Sequence, residues 1–506
     1  MSELTVPTRA RASVRLRARN DLRASFATPP GKYLLLWGSV LLGALALANV
    51  LGPVRTVTDW PSYVAMAFLV WFGIYLFASY RAFGSIYLFA SAYVICLAVF
   101  HFGHVAMSVT GIADLPYLVT GDMARWHQAA AWYCLLAYAA FGVGLSLSMS
   151  ARGSVSPAPV AADKLEQNLA SAFGIGVALL VAALVALLLT VGSVGNILRF
   201  SRSEIFAGVG DTRGYGYFLM VAPSAAVLLM AGANTVARRW FAYSIAASLA
   251  LAILFLGYRS SVLFPALLGA VLWVKLGRRI PLGVVVVAVV IVAIAIPSVR
   301  YLRAQGPYQD VTREDMQQAL SQASEAQNAL LEIGGVSTVV AYVVKTVPQE
   351  WPYRWGQSYW LALKTSIPNF GGGIEASERE AALSRGVVNR EMLSEMHPAD
   401  WYTFVVDRWM FDTGGGAGFS TIAEAYLNFG TWGVIGFFAL LGFGLGRLDR
   451  ADVRADGRLL VGAGALLWPL LKTVRNTFGV FVKPLVFIVL TIVVWKLATA
   501  WMGRKP

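Results

Sequence analysis

A guanidinium fork grips phosphate oxygens in pairs and stays charged at any working pH, so arginines beside apolar runs are the first visible chemistry. Arg199, Arg202, Arg213, Arg259, Arg300, Arg303, Arg354, Arg408 and Arg475 form that set. Arg259, in Gly257-Tyr258-Arg259-Ser260, and Arg475, in Lys472-Thr473-Val474-Arg475-Asn476, have no acidic neighbour in sequence and stand at the ends of long apolar stretches. A cation there is expensive unless an anion meets it. Such an array suits a lipid-linked pyrophosphate; the competing reading pairs each arginine with a carboxylate or a lipid head group.

Glu424 is the carboxylate that stands out. It lies about one turn into an apolar run, with Ser420 four residues before it and Asn428 four after, so a helix puts all three on one face. It can serve as a general base or as the structural partner of an arginine. His397, in Glu395-Met396-His397-Pro398-Ala399-Asp400, is the second candidate base, because an imidazole titrates near neutrality. His101, His104 and His127 fall near the ends of apolar runs, but no carboxylate or cysteine completes a metal-ligand spacing. Trp351, Tyr353, Trp355, Tyr359, Trp360, Trp401, Tyr402 and Trp409 are dense enough to stack on sugar faces, and equally suited to a belt at a membrane interface. Cys96 and Cys134 both fall inside apolar runs and read as buried thiols rather than as a disulfide framework.

What must position these groups is a membrane bundle. The chain has 506 residues, 58% hydrophobic and 13% charged, which excludes an ordinary soluble domain, a disordered chain and a disulfide scaffold. About twelve stretches are long and apolar enough to cross a bilayer. They run 33 to 52, 61 to 80, 86 to 108, 127 to 149, 169 to 191, 216 to 232, 240 to 256, 260 to 276, 281 to 297, 420 to 446, 459 to 473 and 482 to 501. The eleventh is marginal, so eleven is the alternative count. The expected class is an all-α polytopic membrane protein.

The net charge of +14, from 41 basic and 27 acidic residues, would suggest nucleic acid in a soluble chain. Here it is a topology signal. Arg9, Arg11, Arg15, Arg17, Arg19, Arg23 and Lys32 put residues 1–32 in the cytoplasm, ahead of a retained signal-anchor span. Alternate threading then brings Arg81, Arg152, Lys164, Arg238, Arg239, Lys275, Arg278, Arg279, Arg447, Arg450, Arg454, Arg458, Arg504 and Lys505 to the same side. Residues 33–297 carry the first nine spans, and 420–506 carry the last three with a cytoplasmic carboxy terminus. Between them residues 298–419 form one large outer loop, far beyond ordinary connection length. Within it an amphipathic helix is expected over 312–333, an apolar one over 336–347 and a short one over 357–366.

Several segments are similar to a known family. Pro352-Tyr353-Arg354-Trp355-Gly356-Gln357-Ser358-Tyr359, Ile367-Pro368-Asn369-Phe370, and Gly416-Ala417-Gly418-Phe419-Ser420 running into Ile422-Ala423-Glu424-Ala425-Tyr426-Leu427-Asn428-Phe429-Gly430 resemble the Wzy-type O-antigen polysaccharide polymerases. The Gly257-Tyr258-Arg259 turn and Arg475-Asn476 look like further arginine positions of that family. The resemblance implies a GT-C-like glycosyltransferase membrane fold in a bacterial inner membrane, with a periplasmic site. It implies transfer of a growing glycan from undecaprenyl pyrophosphate to the sugar of a new lipid-linked repeat, without cofactor or metal. A chain-length regulator is an expected partner, alongside membrane lipids. In that reaction Arg259, Arg354, Arg475, Arg303 and Arg408 would meet the pyrophosphate, Glu424 or His397 would act as base, and Tyr353, Tyr359, Asn428 and Tyr426 would position sugar. A ligase moving glycan to lipid A core is the nearest alternative. A twelve-span polysaccharide or lipid transporter is another, disfavoured by the lack of repeat symmetry and of mid-membrane ionisable residues, and a protein that only organises glycan enzymes is a third.

Overall fold

The computed structural model describes residues 30–52, 58–150, 160–191, 213–255, 258–280, 283, 334–367, 390–412 and 416–502. Among them the regular structure is helical, with no strand. Eight helices come first: α1 (Pro30–Leu51), α2 (Trp60–Phe83), α3 (Phe89–Val109), α4 (Ala124–Ser150), α5 (Ala162–Val191), α6 (Arg213–Gly232), α7 (Val236–Phe255) and α8 (Ser260–Lys275). Five shorter ones follow: α9 (Val336–Thr346), α10 (Gln357–Lys364), α11 (Arg390–Glu395), α12 (Pro398–Val406) and α13 (Arg408–Asp412). Three long ones close the chain, α14 (Thr421–Arg450), α15 (Gly457–Lys472) and α16 (Gly479–Met502).

Nine helices among the described residues are long and apolar enough to cross a membrane: α1 to α5, α7, α14, α15 with its extension to Arg475, and α16. The expected spans at 216–232 and 260–276 appear as the shorter apolar helices α6 and α8. The expected span at 281–297, apart from residue 283, the basic segment before residue 30 and the amphipathic helix at 312–333 lie outside the described residues. Cys96 and Cys134 are buried free thiols.

The core is built on α4, where every residue from His127 to Gly142 is buried. Helices meet it at small residues, which let backbones approach closely and gain van der Waals contact that lipid cannot supply. A Cβ on Gly144 would collide with the Ala439 carbonyl of α14, and one on Gly442 or Gly446 would strike Phe141 or Ser148 of α4. The apolar helix expected within the outer loop is present as α9, but it is buried inside the bundle, with Val339, Val340, Ala341 and Val343 enclosed. Its entry is a backbone contact: a Cβ on Gly334 would lie 2.7 Å from the His104 nitrogen and 2.8 Å from the Cα of Gly103 on α3.

Contacts between helix ends sort them into two sets. At one end Asp449 accepts the Phe89 and Ala90 amides at the start of α3 and pairs with Lys275 at 3.0 Å. There too Arg278 donates to the Met230 and Ala233 carbonyls, and Asn168 to the Arg454 carbonyl. At the opposite end the Trp60 indole donates to the Leu118 carbonyl, and the turn after α15 wraps the start of α14. The basic residues 238, 239, 275, 278, 279, 447, 450, 454 and 458 belong to the first end. The candidate site belongs to the second.

Candidate active site

Three segments far apart in sequence converge on the first two turns of α14. Ser420 caps the helix, its hydroxyl oxygen accepting the Ile422 and Ala423 amides, as Ser does at this position in most capped helices. Its hydroxyl lies 2.8 Å from Nε2 of His101, whose Nδ1 is 3.1 Å from the Leu97 carbonyl. A carbonyl only accepts, so Nδ1 carries the proton; the Ser420 oxygen already accepts two amides, so its own proton goes to Nε2. His101 is therefore a neutral imidazole that braces the cap. Thr421 Oγ1 donates to the Thr473 carbonyl and the Phe419 amide to the Arg475 carbonyl, so the turn 473–478 is stitched to the same end.

Glu424 sits at the centre, 1% exposed. One carboxylate oxygen accepts the Ser358 hydroxyl at 2.8 Å and the other accepts the Phe478 amide at 2.6 Å. Asn428 donates to the Ser358 hydroxyl at 2.7 Å and to the Glu424 carbonyl at 2.8 Å, while its Oδ1 accepts the Gly356 amide at 3.0 Å. Glu424 and Asn428 face the Arg354–Ser358 segment and the 473–478 turn, while Ser420 faces His101 of α3. Burial makes each of these donors matter, because an unmet polar group at such a position costs about 1–3 kcal/mol.

The helix breaks just beyond. Phe429 and Gly430 leave helical geometry, Gly430 at φ +62°, and the carbonyls of Leu427 and Asn428 instead accept the amides of Arg354 and Trp355 at 2.9 and 3.0 Å. Irregular backbone at membrane depth is tolerated where protein satisfies it or where it lines a site. Here the preceding loop supplies the missing donors, and it brings Tyr353 and Tyr359 with it. Tyr353 lies against Tyr426 with ring centroids 6.1 Å apart, and Tyr426 meets Tyr133 of α4 at 4.9 Å. Tyr359 stacks on Phe429 and Phe437. Burial, and after it the neighbouring Glu424 carboxylate, holds the Tyr359 hydroxyl far above its ordinary range, so it stays protonated.

Arg354 is buried over the Trp401 ring at 5.5 Å and donates to the Met396 and Leu393 carbonyls. It thereby ties α11 and α12 to the site, and its charge acts on Glu424. His397 is half-buried and opens α12, one residue beyond a carbonyl held by Arg354. Arg475 joins the site through its backbone, half-buried beside Gly418. Arg259 opens α8, whose Phe264 packs on Phe100 of α3, next to His101. Arg408 is set apart, in an exposed pair with Asp412 on α13. Arg303 lies outside the described residues.

Sequence reasoning singles out Glu424 and Asn428 but misses their partners. Ser358 and the Phe478 amide are 66 and 54 residues away in the chain, and nothing local pairs them with Glu424. Tyr133 and Thr431, whose hydroxyls meet at 2.9 Å across the break, are equally silent in sequence. The nearest signal for Ser358, Tyr133 and Thr431 is polarity: each is a hydroxyl residue within or beside an apolar run.

Nine helices of membrane-crossing length among the described residues, enclosing a buried polar network, define a multi-pass membrane protein. The chain belongs to the O-antigen polysaccharide polymerase Wzy family, whose model matches residues 41–505. It is thus an enzyme with a polysaccharide polymerase role in O-antigen biosynthesis, and its family acts on lipid-linked oligosaccharide repeat units. Neither the curated proteins nor the solved structures contain a match to the chain.

Proposed function

We propose that the chain lengthens lipid-linked O-antigen or exopolysaccharide by transferring the growing glycan from undecaprenyl pyrophosphate to the sugar of a new lipid-linked repeat, on the periplasmic side of the inner membrane. The observation that carries this reading is the convergence of the 353–358, 418–430 and 473–478 segments on Glu424, at the end of the bundle opposite its basic end. In a chain of this family, that end is the one facing away from the cytoplasm by the positive-inside rule.

In the proposed step the bond between the donor sugar's anomeric carbon and the pyrophosphate oxygen breaks, and a bond from the acceptor hydroxyl oxygen to that carbon forms. The hydroxyl proton passes to His397, and the pyrophosphate leaves with the bonding electrons. Arg259 and Arg475 stabilise its developing charge, the kind of interaction that grows as the transition state is reached. Arg354, with two donors already on carbonyls, holds α11 and α12 in place and adds its charge to the site. Glu424 is a positioning residue, since both its oxygens are engaged and its side chain is enclosed. Tyr353, Tyr359, Tyr426 and Asn428 shape the sugar site. No step requires a metal or cofactor.

The test is the purified chain in liposomes given lipid-linked repeats alone, with a chelator present. A ladder of lengthened lipid-linked glycans is expected, lost in Arg259→Ala and Arg475→Ala. Glycan that lengthens only when lipid A core is added would favour the ligase, and repeats that cross the bilayer unlengthened would favour the transporter.

A further inference from the structure

Trp355 is the only non-glycine residue among those described with a left-handed backbone, at φ +48°. That conformation is strained for a bulky side chain and persists only where its surroundings over-determine it. They do so here: the Arg354, Trp355 and Gly356 amides are held in succession by the Leu427 carbonyl, the Asn428 carbonyl and the Asn428 side chain. On this backbone the indole stands outward, 74% exposed, while Tyr353 and Phe429 meet it edge-on with centroids at 5.9 and 6.4 Å.

A tryptophan that only anchors a membrane surface needs no such backbone. Trp240 on α7 and Trp409 on α13 are 69% and 75% exposed on ordinary helix. Trp355 differs also in its company. Tyr353 reaches from beside it to the helix break, its hydroxyl 3.1 Å from where a Cβ on Gly430 would stand. Behind it Tyr426 and Tyr133 are buried, their hydroxyls already on the Val347 carbonyl and on Thr431. An open aromatic plane with a phenol at its edge is an arrangement that takes a pyranose ring, whose C–H face lies on the indole and whose hydroxyl meets the phenol.

We infer that Trp355 is a stacking platform for a sugar of the lipid-linked repeat, with Tyr353 as its hydroxyl rim. This inference rests on the polymerase reading and adds to it a binding residue one position from Arg354.

The test measures ladder formation by the full-length chain in liposomes, against rising concentrations of lipid-linked repeats extracted from cells that make them but lack this chain. Trp355→Ala raises the half-saturating concentration about tenfold, and Trp355→Phe raises it less, with the rate at saturation largely kept. Trp355→Gly shows the same weakened saturation yet melts no lower than Trp355→Ala, because glycine accepts the left-handed backbone. It carries the test if the alanine variant does not fold. Trp240→Ala leaves saturation unchanged. A wild-type half-saturation in Trp355→Gly, or an equal rise in Trp240→Ala, overturns the platform and leaves the polymerase reading standing. A wild-type chain that forms no ladder overturns the polymerase reading, and the platform with it.

Discussion

Ser358 and Glu424, 66 residues apart in sequence, meet at 2.8 Å in a buried contact that joins α10 to α14. The Ser358 oxygen also accepts from Asn428, so the hydroxyl relays between carboxylate and amide. Removing it leaves a buried carboxylate oxygen and a buried amide donor without that partner. Ser358→Ala is expected to destabilise the chain by about 1–3 kcal/mol, and Glu424→Ala by more, since two donors then lose a charged acceptor. Thermal unfolding in detergent of both single variants and of the double variant would show a coupling of about 1–3 kcal/mol. Strict additivity would mean that the two side chains act independently.

Gly430 carries the break in α14. Its φ of +62° suits glycine, and a Cβ would stand 3.1 Å from the Tyr353 hydroxyl. Gly430→Ala is expected to cost about 1–2 kcal/mol from backbone conformation alone. It also displaces Tyr353, so polymer length should shorten in cells whose membranes hold normal amounts of the variant. Wild-type polymer from Gly430→Ala would mean that the break serves only packing.

Much of the bundle is legible in the sequence because an apolar run long enough to cross a bilayer is hard to bury anywhere but in lipid. The face shared by Glu424 and Asn428 is legible too, because helical period fixes it. What they face is not. The Phe478 amide carries no side-chain signal, and the His101 bond to Ser420 spans 319 residues. Val336–Thr346 is an 11-residue helix, too short to read as a span, so it reads as part of a loop although it is buried. Trp355 shows why local rules fail at a site. Nothing in Arg354-Trp355-Gly356 announces a left-handed tryptophan, since the amide acceptors that enforce it come from α14.

Gly103 and Gly334 let α3 and the start of α9 touch backbone to backbone. The atoms a Cβ would strike at Gly334 are main-chain atoms of His104 and Gly103, which cannot swing aside. Gly334→Ala is therefore expected to push α9 out of its slot and destabilise by about 1–3 kcal/mol, with Gly334→Val worse. Gly462→Ala is the control, because open space surrounds it. Melting temperatures of the three variants in one detergent decide the matter: equal values would mean that the close approach carries no weight.

Orientation is open to chemical labelling because both native cysteines, Cys96 and Cys134, are buried and contribute little background. Asp114 is exposed in the connection between α3 and α4, at the end that holds the candidate site. Arg458 is exposed at the start of α15, at the basic end. The proposed orientation puts the basic end in the cytoplasm, as the positive-inside rule expects. A membrane-impermeant maleimide should thus label Asp114→Cys in intact cells, and Arg458→Cys only after the inner membrane is opened. The reverse pattern would put Glu424 and its partners on the cytoplasmic side, where the proposed lipid-linked pyrophosphate reaction could not be periplasmic. Labelling of both positions in intact cells would instead mean that the membrane was leaky, which Arg278→Cys, at the same basic end, would reveal by reacting as well.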